Sequence, residues 1–368
     1  MGACFCLLLL MMWGATMDSG GEAFTDSVQS VSRDLEVHEC GGRKACKLNL
    51  MITFYSGLPA APVPVVLFLT GFQMPRSWYN SYAEQLASNG RYLVVQYETS
   101  SSIVKPLIPD QIEVQFFPQL LSFVAGEASD SASPLYNRAD VSRVGLMGHS
   151  RGAKLAALAL ASGVVFPHQT LLAARTQQRL ASTGGPDGVG RDHGAEKKCH
   201  QQQQQQKQQV QLAAVLVDPV DSGSGSSAQD LQFPSAAEAL AGQNRSAAVI
   251  GAGICGWCNP TSDGWRKFWP VLQSGWLQVV TAAGHLQFTD AKGATAWAWD
   301  KFCGGGALSH AEVQEFPVRA ALAWFGLAFE DKPPNRYIDW SRKQQERASF
   351  EVKTAETWDC SSSLSAHE

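Results

Sequence analysis

The chain has 368 residues, of which 45% are hydrophobic, and its 29 basic and 33 acidic residues leave a formal net charge of −4. This length and apolar content suffice for one large α/β domain, or two ordinary domains, with a buried core. The charges form no long run of one sign. The sequence therefore lacks the basic clusters that are typical of nucleic-acid-binding proteins, and small or apolar partners are expected.

The N-terminal stretch MGACFCLLLLMMWGATMDSG contains an apolar run. At about fifteen residues it is too short for a membrane span. It resembles the centre of a targeting peptide, although no basic residues precede it. Gly2, Cys4 and Cys6 are compatible with acylation, but Cys6 stands where a myristoylation signal has Ser or Thr. We predict a targeting or leader segment over residues 1–25, which leaves peripheral membrane association open.

Short apolar runs rich in β-branched residues recur along the chain and predict strands. They are KLNLMITFYSG, PVPVVLFLTGF, RYLVVQYE, RVGLMGHS, LAAVLVDPV, SAAVIGAG and WLQVVTAAGH. The middle runs are apolar throughout, which is typical of parallel strands covered on both faces. We expect an α/β fold with a mostly parallel sheet.

Segments with helical composition fill the gaps between these runs. They are WYNSYAEQLASNG, IPDQIEVQFFPQLLSFVAGEAS, GAKLAALALASG and AEVQEFPVRAALAWFGLAFE, where Pro317 is expected to start or kink the second part. No repeat of 20 to 50 residues occurs, as a solenoid would require.

Residues 164–211 interrupt this alternation. They are polar and include the tract CHQQQQQQKQQVQ, which has no capacity to form a core. We predict a disordered, low-complexity insertion within one α/β domain spanning residues 26–330. The residues 331–368 form a polar C-terminal tail, expected to pack loosely.

The sequence GHSRG, residues 148–152, matches G-x-S-x-G between a predicted strand and a predicted helix. In a nucleophile elbow the serine has a strained backbone, and side chains at the flanking glycines would collide with the neighbouring elements. Ser150 is the candidate nucleophile. The alternative is a passive serine in a glycine-rich turn.

A nucleophilic serine needs a base, and the base needs an orienting acid. In the fold that carries a nucleophile elbow, the chain order is Ser, acid, His. His285 follows the last strong strand by a short loop and is the candidate base. Asp218, which directly ends the strand LAAVLVDPV, is the preferred acid. Asp263, after the next strand, is the second candidate, and the alternative for Asp218 is a turn residue, which Asp-Pro favours.

The oxyanion hole of such a site uses backbone N–H groups. We predict that they belong to Arg151, directly after the nucleophile, and to Phe72, after the strand VVLFLTGF.

Nine cysteines are spread over the chain in an odd number, which is not a disulfide-scaffold pattern. CGWC at residues 255–258 has the spacing of a redox pair or half of a zinc site, but no second CxxC occurs. Structural thiols or a local disulfide are the favoured interpretation.

GLMGHSRGAK, VDPVD, VVLFLTGF and the final GH loop together resemble the chlorophyllases, esterases that remove phytol from chlorophyll. The resemblance extends from Pro62 to Phe329. Thr70, Ala153 and Ser222 depart from the family pattern, which has His, Gly and Gly there.

The resemblance implies an α/β-hydrolase fold and a triad of Ser150, Asp218 and His285. It implies chlorophyll as substrate, with no metal or other cofactor, and a chloroplast location. The apolar N-terminus looks instead like a secretory or membrane-associated leader. The alternatives are an esterase or lipase for another hydrophobic ester, and a non-catalytic binding protein of the same fold.

Overall fold

The computed structural model describes residues 27–40, 43–57, 61–98, 108–163, 210–221, 233–346 and 352–355. The predicted leader and nearly all of the predicted insertion lie outside these residues. The described strands are β1 (Val28–Cys40), β2 (Arg43–Tyr55), β3 (Val63–Leu69), β4 (Leu93–Glu98), β5 (Ala139–His149), β6 (Gln211–Val217), β7 (Ser246–Ala252), β8 (Ser274–Val280) and β9 (Val352–Ala355).

The described helices are α1 (Asn80–Gly90), α2 (Asp110–Val114), α3 (Phe116–Ser129), α4 (Arg151–Ser162), α5 (Ala236–Leu240), α6 (Trp265–Phe268), α7 (Gly293–Cys303), α8 (His310–Glu330) and α9 (Asn335–Glu346). Short 3₁₀ helices cover Arg76–Tyr79, Trp269–Val271 and His285–Phe288. None of the helices among the described residues is long and apolar enough to cross a membrane.

The described strands form one nine-stranded sheet in the order β1-β2-β4-β3-β5-β6-β7-β8-β9. Strands β3 to β8 are parallel to their neighbours among themselves, whereas β1, β2 and β9 join as antiparallel strands. Strand β3 and the end of β5 are buried on both faces, with one apolar cluster on each side of the sheet. The predicted α/β-hydrolase fold is confirmed.

The order in which strands are added to the sheet reverses at β3, since β4 lies on one side of β3 and β5 on the other. In open α/β sheets, ligands bind beyond the carboxyl ends of the strands at such a switch point. The turns after β3, β5, β6 and β8 all lie at these carboxyl ends. The fold therefore brings the predicted site residues to one place.

Several elements differ from the sequence-based expectation. The segment expected as one helix before β5 is two, α2 and α3, which meet at Gln115. Pro317 lies inside a continuous helix α8 and neither starts nor interrupts it. The hairpin strand β1 and the helix α7 were not predicted.

Helix α9 lies in the segment that was expected to be a loosely packed tail. Its Tyr337 is buried, stacks on Trp276 of β8 with ring centroids 5.1 Å apart, and donates a hydrogen bond to the side chain of Gln278 at 2.9 Å. The buried ring and its hydrogen-bonded hydroxyl fix the helix against the sheet at β8. The expectation of loose packing is wrong for this part of the tail.

Candidate active site

Ser150 occupies the sharp turn between β5 and α4. Its backbone angles are φ 58° and ψ −125°, a left-handed conformation that is strained for any residue other than glycine. Its N–H donates to the carbonyl of Val217 on β6 at 3.0 Å, which ties the turn to the neighbouring strand. Strain of this kind, maintained by the surrounding structure, is typical of a nucleophile elbow.

The two flanking glycines are required by close approach of the backbone. A Cβ on Gly148 would overlap the backbone of Gly152 at the start of α4, and a Cβ on Gly152 would overlap the carbonyl of Leu69 at the end of β3. The turn is therefore compressed between its own helix and the adjacent strand. This is the mechanical reason predicted for the glycine pattern.

The structure brings Ser150, His285 and Asp218 into one hydrogen-bonded chain. His285 Nε2 lies 2.9 Å from Ser150 Oγ, and His285 Nδ1 lies 2.6 Å from Asp218 Oδ2. All three residues are buried. A carboxylate can only accept, so Nδ1 carries a proton and Nε2 can accept the proton of the serine hydroxyl.

Asp218 is fixed by further donors at the end of β6. Its Oδ1 accepts from the N–H of Ala252 at 2.9 Å, and its Oδ2 accepts from Asn259 Nδ2 at 3.0 Å. Its backbone also has a positive φ of 38°. These bonds hold the carboxylate in position toward His285.

Asn259 was missed by the sequence reasoning. It is buried, and besides Asp218 it contacts the backbone of its own loop, accepting from the Gly256 N–H at 2.8 Å. Nothing in the residue pattern distinguishes it from an ordinary turn asparagine. Only the fold shows that it links the loop after β7 to the candidate acid.

Asp263, the second candidate acid, has different partners. Its carboxylate accepts from the Ser262 hydroxyl at 3.3 Å, and its backbone carbonyl accepts from the Asp221 N–H at 2.8 Å. Among the described contacts His285 is paired with Asp218. The geometry therefore favours Asp218 as the acid.

The predicted oxyanion donors lie on the two sides of the elbow. Arg151 is the first residue of α4, so its N–H belongs to the unpaired first turn of a helix, where the dipole favours negative charge. Phe72 lies in the turn after β3, and β3 pairs with β5 in the register that sets Leu69 against Gly148. Their use as donors stays a prediction.

The Arg151 side chain has a separate role that the sequence did not reveal. It bonds Asp110 Oδ1 at 2.7 Å and Glu113 Oε2 at 2.7 Å, both on α2, and Lys154 Nζ lies 3.0 Å from Asp110 Oδ2. Burial alone would lower the pKa of the Arg151 guanidinium, but Glu113 and Asp110 outweigh it and raise the pKa above its ordinary value. This buried ion cluster clamps α2 onto the helix that carries the elbow.

His149, inside the elbow, connects the loops of the site. Its Nε2 lies 3.0 Å from the backbone carbonyl of His285, and its Nδ1 lies 2.8 Å from Tyr79 Oη, which accepts from the Gly71 N–H at 3.1 Å. A carbonyl only accepts, so His149 carries its proton on Nε2 and accepts the Tyr79 hydroxyl proton on Nδ1. Burial raises the pKa of Tyr79, which keeps that proton in place.

Because His149 is buried neutral, the stability of the protein should depend on pH. Burial, and to a smaller extent the proximity of the His285 imidazole, lowers the pKa of His149 well below its ordinary value. The unfolded chain takes up a proton near pH 6.5, so the free energy of unfolding falls below that pH by up to about 1.4 kcal/mol per unit. We expect His149→Gln to show a shallower decline than the wild type in urea unfolding at stepwise lower pH.

The matched control for this comparison is His38→Gln, because His38 is exposed on β1. Parallel declines for the wild type and His149→Gln would contradict the assignment of His149 as a buried neutral group.

The cysteines of the CGWC segment do not pair with each other. Cys258 forms a disulfide with Cys303 at the end of α7, and Cys255 is a free thiol. A second disulfide, Cys40–Cys46, closes the β1–β2 hairpin. The local disulfide allowed by the sequence reasoning is therefore wrong, since the partner of Cys258 is 45 residues away.

Comparison with known proteins supports the resemblance seen in the motifs. The family model described as chlorophyllase matches residues 32–174, which include the elbow and end before Asp218 and His285. No curated protein matches the chain. The match confirms the resemblance over this part and indicates an esterase-type function, that of a carboxylic ester hydrolase acting on a hydrophobic small molecule.

Proposed function

We propose that this chain, whose residues 32–174 match the chlorophyllase family, hydrolyses the phytyl ester of chlorophyll to chlorophyllide and phytol. The observation that carries the proposal is the hydrogen-bonded chain from Ser150 through His285 to Asp218, at distances of 2.9 and 2.6 Å. Neither the family match nor the geometry alone names the reaction. The match supports the ester class, and the geometry supports Ser150 as a nucleophile with His285 as its base.

In the first step Ser150 Oγ attacks the carbonyl carbon of the propionate ester, and its proton passes to His285 Nε2. The developing oxyanion is stabilised by the backbone N–H groups of Phe72 and Arg151. When the tetrahedral intermediate collapses, His285 returns the proton to the departing phytol oxygen. An acyl-enzyme on Ser150 remains.

In the second step a water molecule gives a proton to His285 and attacks the acyl carbon. The ester bond to Ser150 Oγ breaks, and His285 protonates that oxygen, which releases chlorophyllide. Asp218 stays ionised throughout and stabilises the imidazolium.

The substrate is tested by incubating the purified protein with chlorophyll a and, separately, with p-nitrophenyl esters, and by measuring chlorophyllide and nitrophenol. Chlorophyllide formation supports the proposal. Turnover of p-nitrophenyl esters alone would replace chlorophyll with another hydrophobic ester as substrate. Binding of chlorophyll with no turnover of either compound would make the chain a binding protein.

A further inference from the structure

Large aromatic side chains are exposed on α7 and on the loop after β7. Trp257 is 81% exposed, and Trp297 and Phe302 are each 66% exposed. We call Trp257, Trp297 and Phe302 the aromatic patch. Soluble surfaces rarely leave several large apolar side chains uncovered in one place, and such a cluster marks an interaction site.

Two residues of the aromatic patch, Trp257 and Phe302, are held next to each other, and Trp297 lies on the same helix as Phe302. The Trp257 N–H donates to the carbonyl of Phe302 at 3.1 Å, and the neighbouring residues Cys258 and Cys303 form a disulfide. The loop and the end of the helix therefore cannot separate. A partner would meet the side chains in a fixed arrangement.

This surface adjoins the candidate active site. Asn259, two residues after Trp257, donates to the Asp218 carboxylate at 3.0 Å. At the other end of the patch, the carbonyl of Gly304 packs so closely on Gly284, the residue before His285, that a Cβ there would overlap it. A partner bound to the patch would therefore lie close to the segments that hold Asp218 and His285.

In the segment that carries the patch, residues 254–305, the exposed charged side chains are of one sign. They are basic, namely Arg266, Lys292 and Lys301. Lys301 Nζ lies 5.9 Å from the centre of the Trp297 ring. This part of the surface is therefore complementary to a negatively charged partner.

The acidic side chains of the same segment are partly buried and engaged. Asp290 accepts from the Ser81 N–H at 2.8 Å, Asp300 lies 3.4 Å from His310 Nε2, and Asp263 accepts from the Ser262 hydroxyl at 3.3 Å. Among the described residues of this segment, the most exposed charged groups are therefore the basic ones.

We propose that the aromatic patch docks the protein on a lipid surface that carries anionic headgroups. Tryptophan has an apolar ring with a polar N–H and is favoured at the boundary between headgroups and hydrocarbon. Exposed lysine and arginine add attraction to anionic lipids, and the two contributions reinforce each other on one face. The proposal rests on the proposed function in one respect: docking there would bring the candidate active site close to a substrate dissolved in lipid.

The test is co-sedimentation of the full-length protein with vesicles of phosphatidylcholine, with and without phosphatidylglycerol. The variant Trp257→Ser/Trp297→Ser/Phe302→Ser should bind at least about tenfold more weakly to the mixed vesicles. Lys292→Gln/Lys301→Gln should lose binding only where phosphatidylglycerol is present, and added salt should abolish that difference.

The matched control is Tyr136→Ser. Tyr136 is 44% exposed, but it lies before the amino end of β5, whereas the candidate site lies beyond the carboxyl ends of the parallel strands. Its loss should leave vesicle binding unchanged. Since the patch side chains are exposed, the patch variants should keep wild-type hydrolysis of a water-soluble p-nitrophenyl ester, which also shows that they are folded.

Equal vesicle binding by the wild type and the triple variant would overturn the docking surface. So would a change confined to self-association in light scattering, because the patch would then be an interface between copies of the chain. Vesicle binding is measured without substrate. Patch-dependent binding by a protein that forms no chlorophyllide would refute the proposed function and leave the docking surface standing.

Discussion

Replacing Ser150 with alanine is expected to lower kcat by about 10⁶-fold, the size of effect seen when a triad nucleophile is removed. Ser150 Oγ is the atom that lies 2.9 Å from the base, and alanine has no group there to form the acyl-enzyme. The backbone N–H groups remain, so a small residual rate is expected. Initial rates with a p-nitrophenyl ester and with chlorophyll a measure the effect.

The control for this variant is Ser162→Ala at the end of α4, the helix that Ser150 precedes, where the hydroxyl donates to the carbonyl of Ala159 at 3.1 Å. It should keep wild-type activity. A Ser150→Ala protein that is folded and hydrolyses either ester at a wild-type rate would remove Ser150 from the mechanism.

Replacing Asp218 with asparagine is expected to lower kcat by about 10⁴-fold. Both carboxylate oxygens accept hydrogen bonds, Oδ1 from Ala252 and Oδ2 from Asn259 and His285. An amide cannot accept at both positions, so its NH₂ group must face a donor. If that group faces His285, the imidazole proton is driven to Nε2, which can then no longer take the serine proton.

Asp263→Asn is the matched control for the acid, because the two residues were the alternatives in the sequence. Its carboxylate bonds Ser262, and we expect its activity to stay within a few-fold of the wild type. A large loss in Asp263→Asn together with a small loss in Asp218→Asn would reverse the assignment.

The sequence predicted the parts of the molecule that local residue patterns specify, namely the buried strands and the glycine-flanked turn. Strands buried on both faces are apolar throughout, so β3 and the middle of the sheet could be recognised. Glycines that admit a close backbone approach marked the elbow around Ser150. The family match then confirmed the fold that these patterns favour.

The unpredicted parts depend on contacts between distant segments. Asn259 forms a hydrogen bond with Asp218, 41 residues away in the chain, and Tyr79 forms one with His149, 70 residues away. The Cys258–Cys303 disulfide likewise joins a loop to a helix that the pattern did not indicate. No local periodicity records such contacts, because they follow from how the elements pack.

The edges of the sheet were also harder to read than its centre. Strand β1 alternates between exposed and half-buried residues, so its apolar content is low, although the alternation itself is the signal of an antiparallel strand. Helix α9 is polar apart from residues such as Tyr337 that dock it. A tail with few anchoring side chains resembles a loose segment in composition alone.

The central claim, that Ser150 is the nucleophile for a chlorophyll ester, is tested most directly by labelling with a fluorophosphonate followed by trypsin digestion and mass spectrometry. Cleavage after Arg143 and Arg151 gives the peptide VGLMGHSR, in which Ser150 is the only serine. We predict that the adduct lies on this peptide and that chlorophyll a slows its formation. An adduct on another peptide, or a labelling rate that chlorophyll a leaves unchanged, would contradict the account.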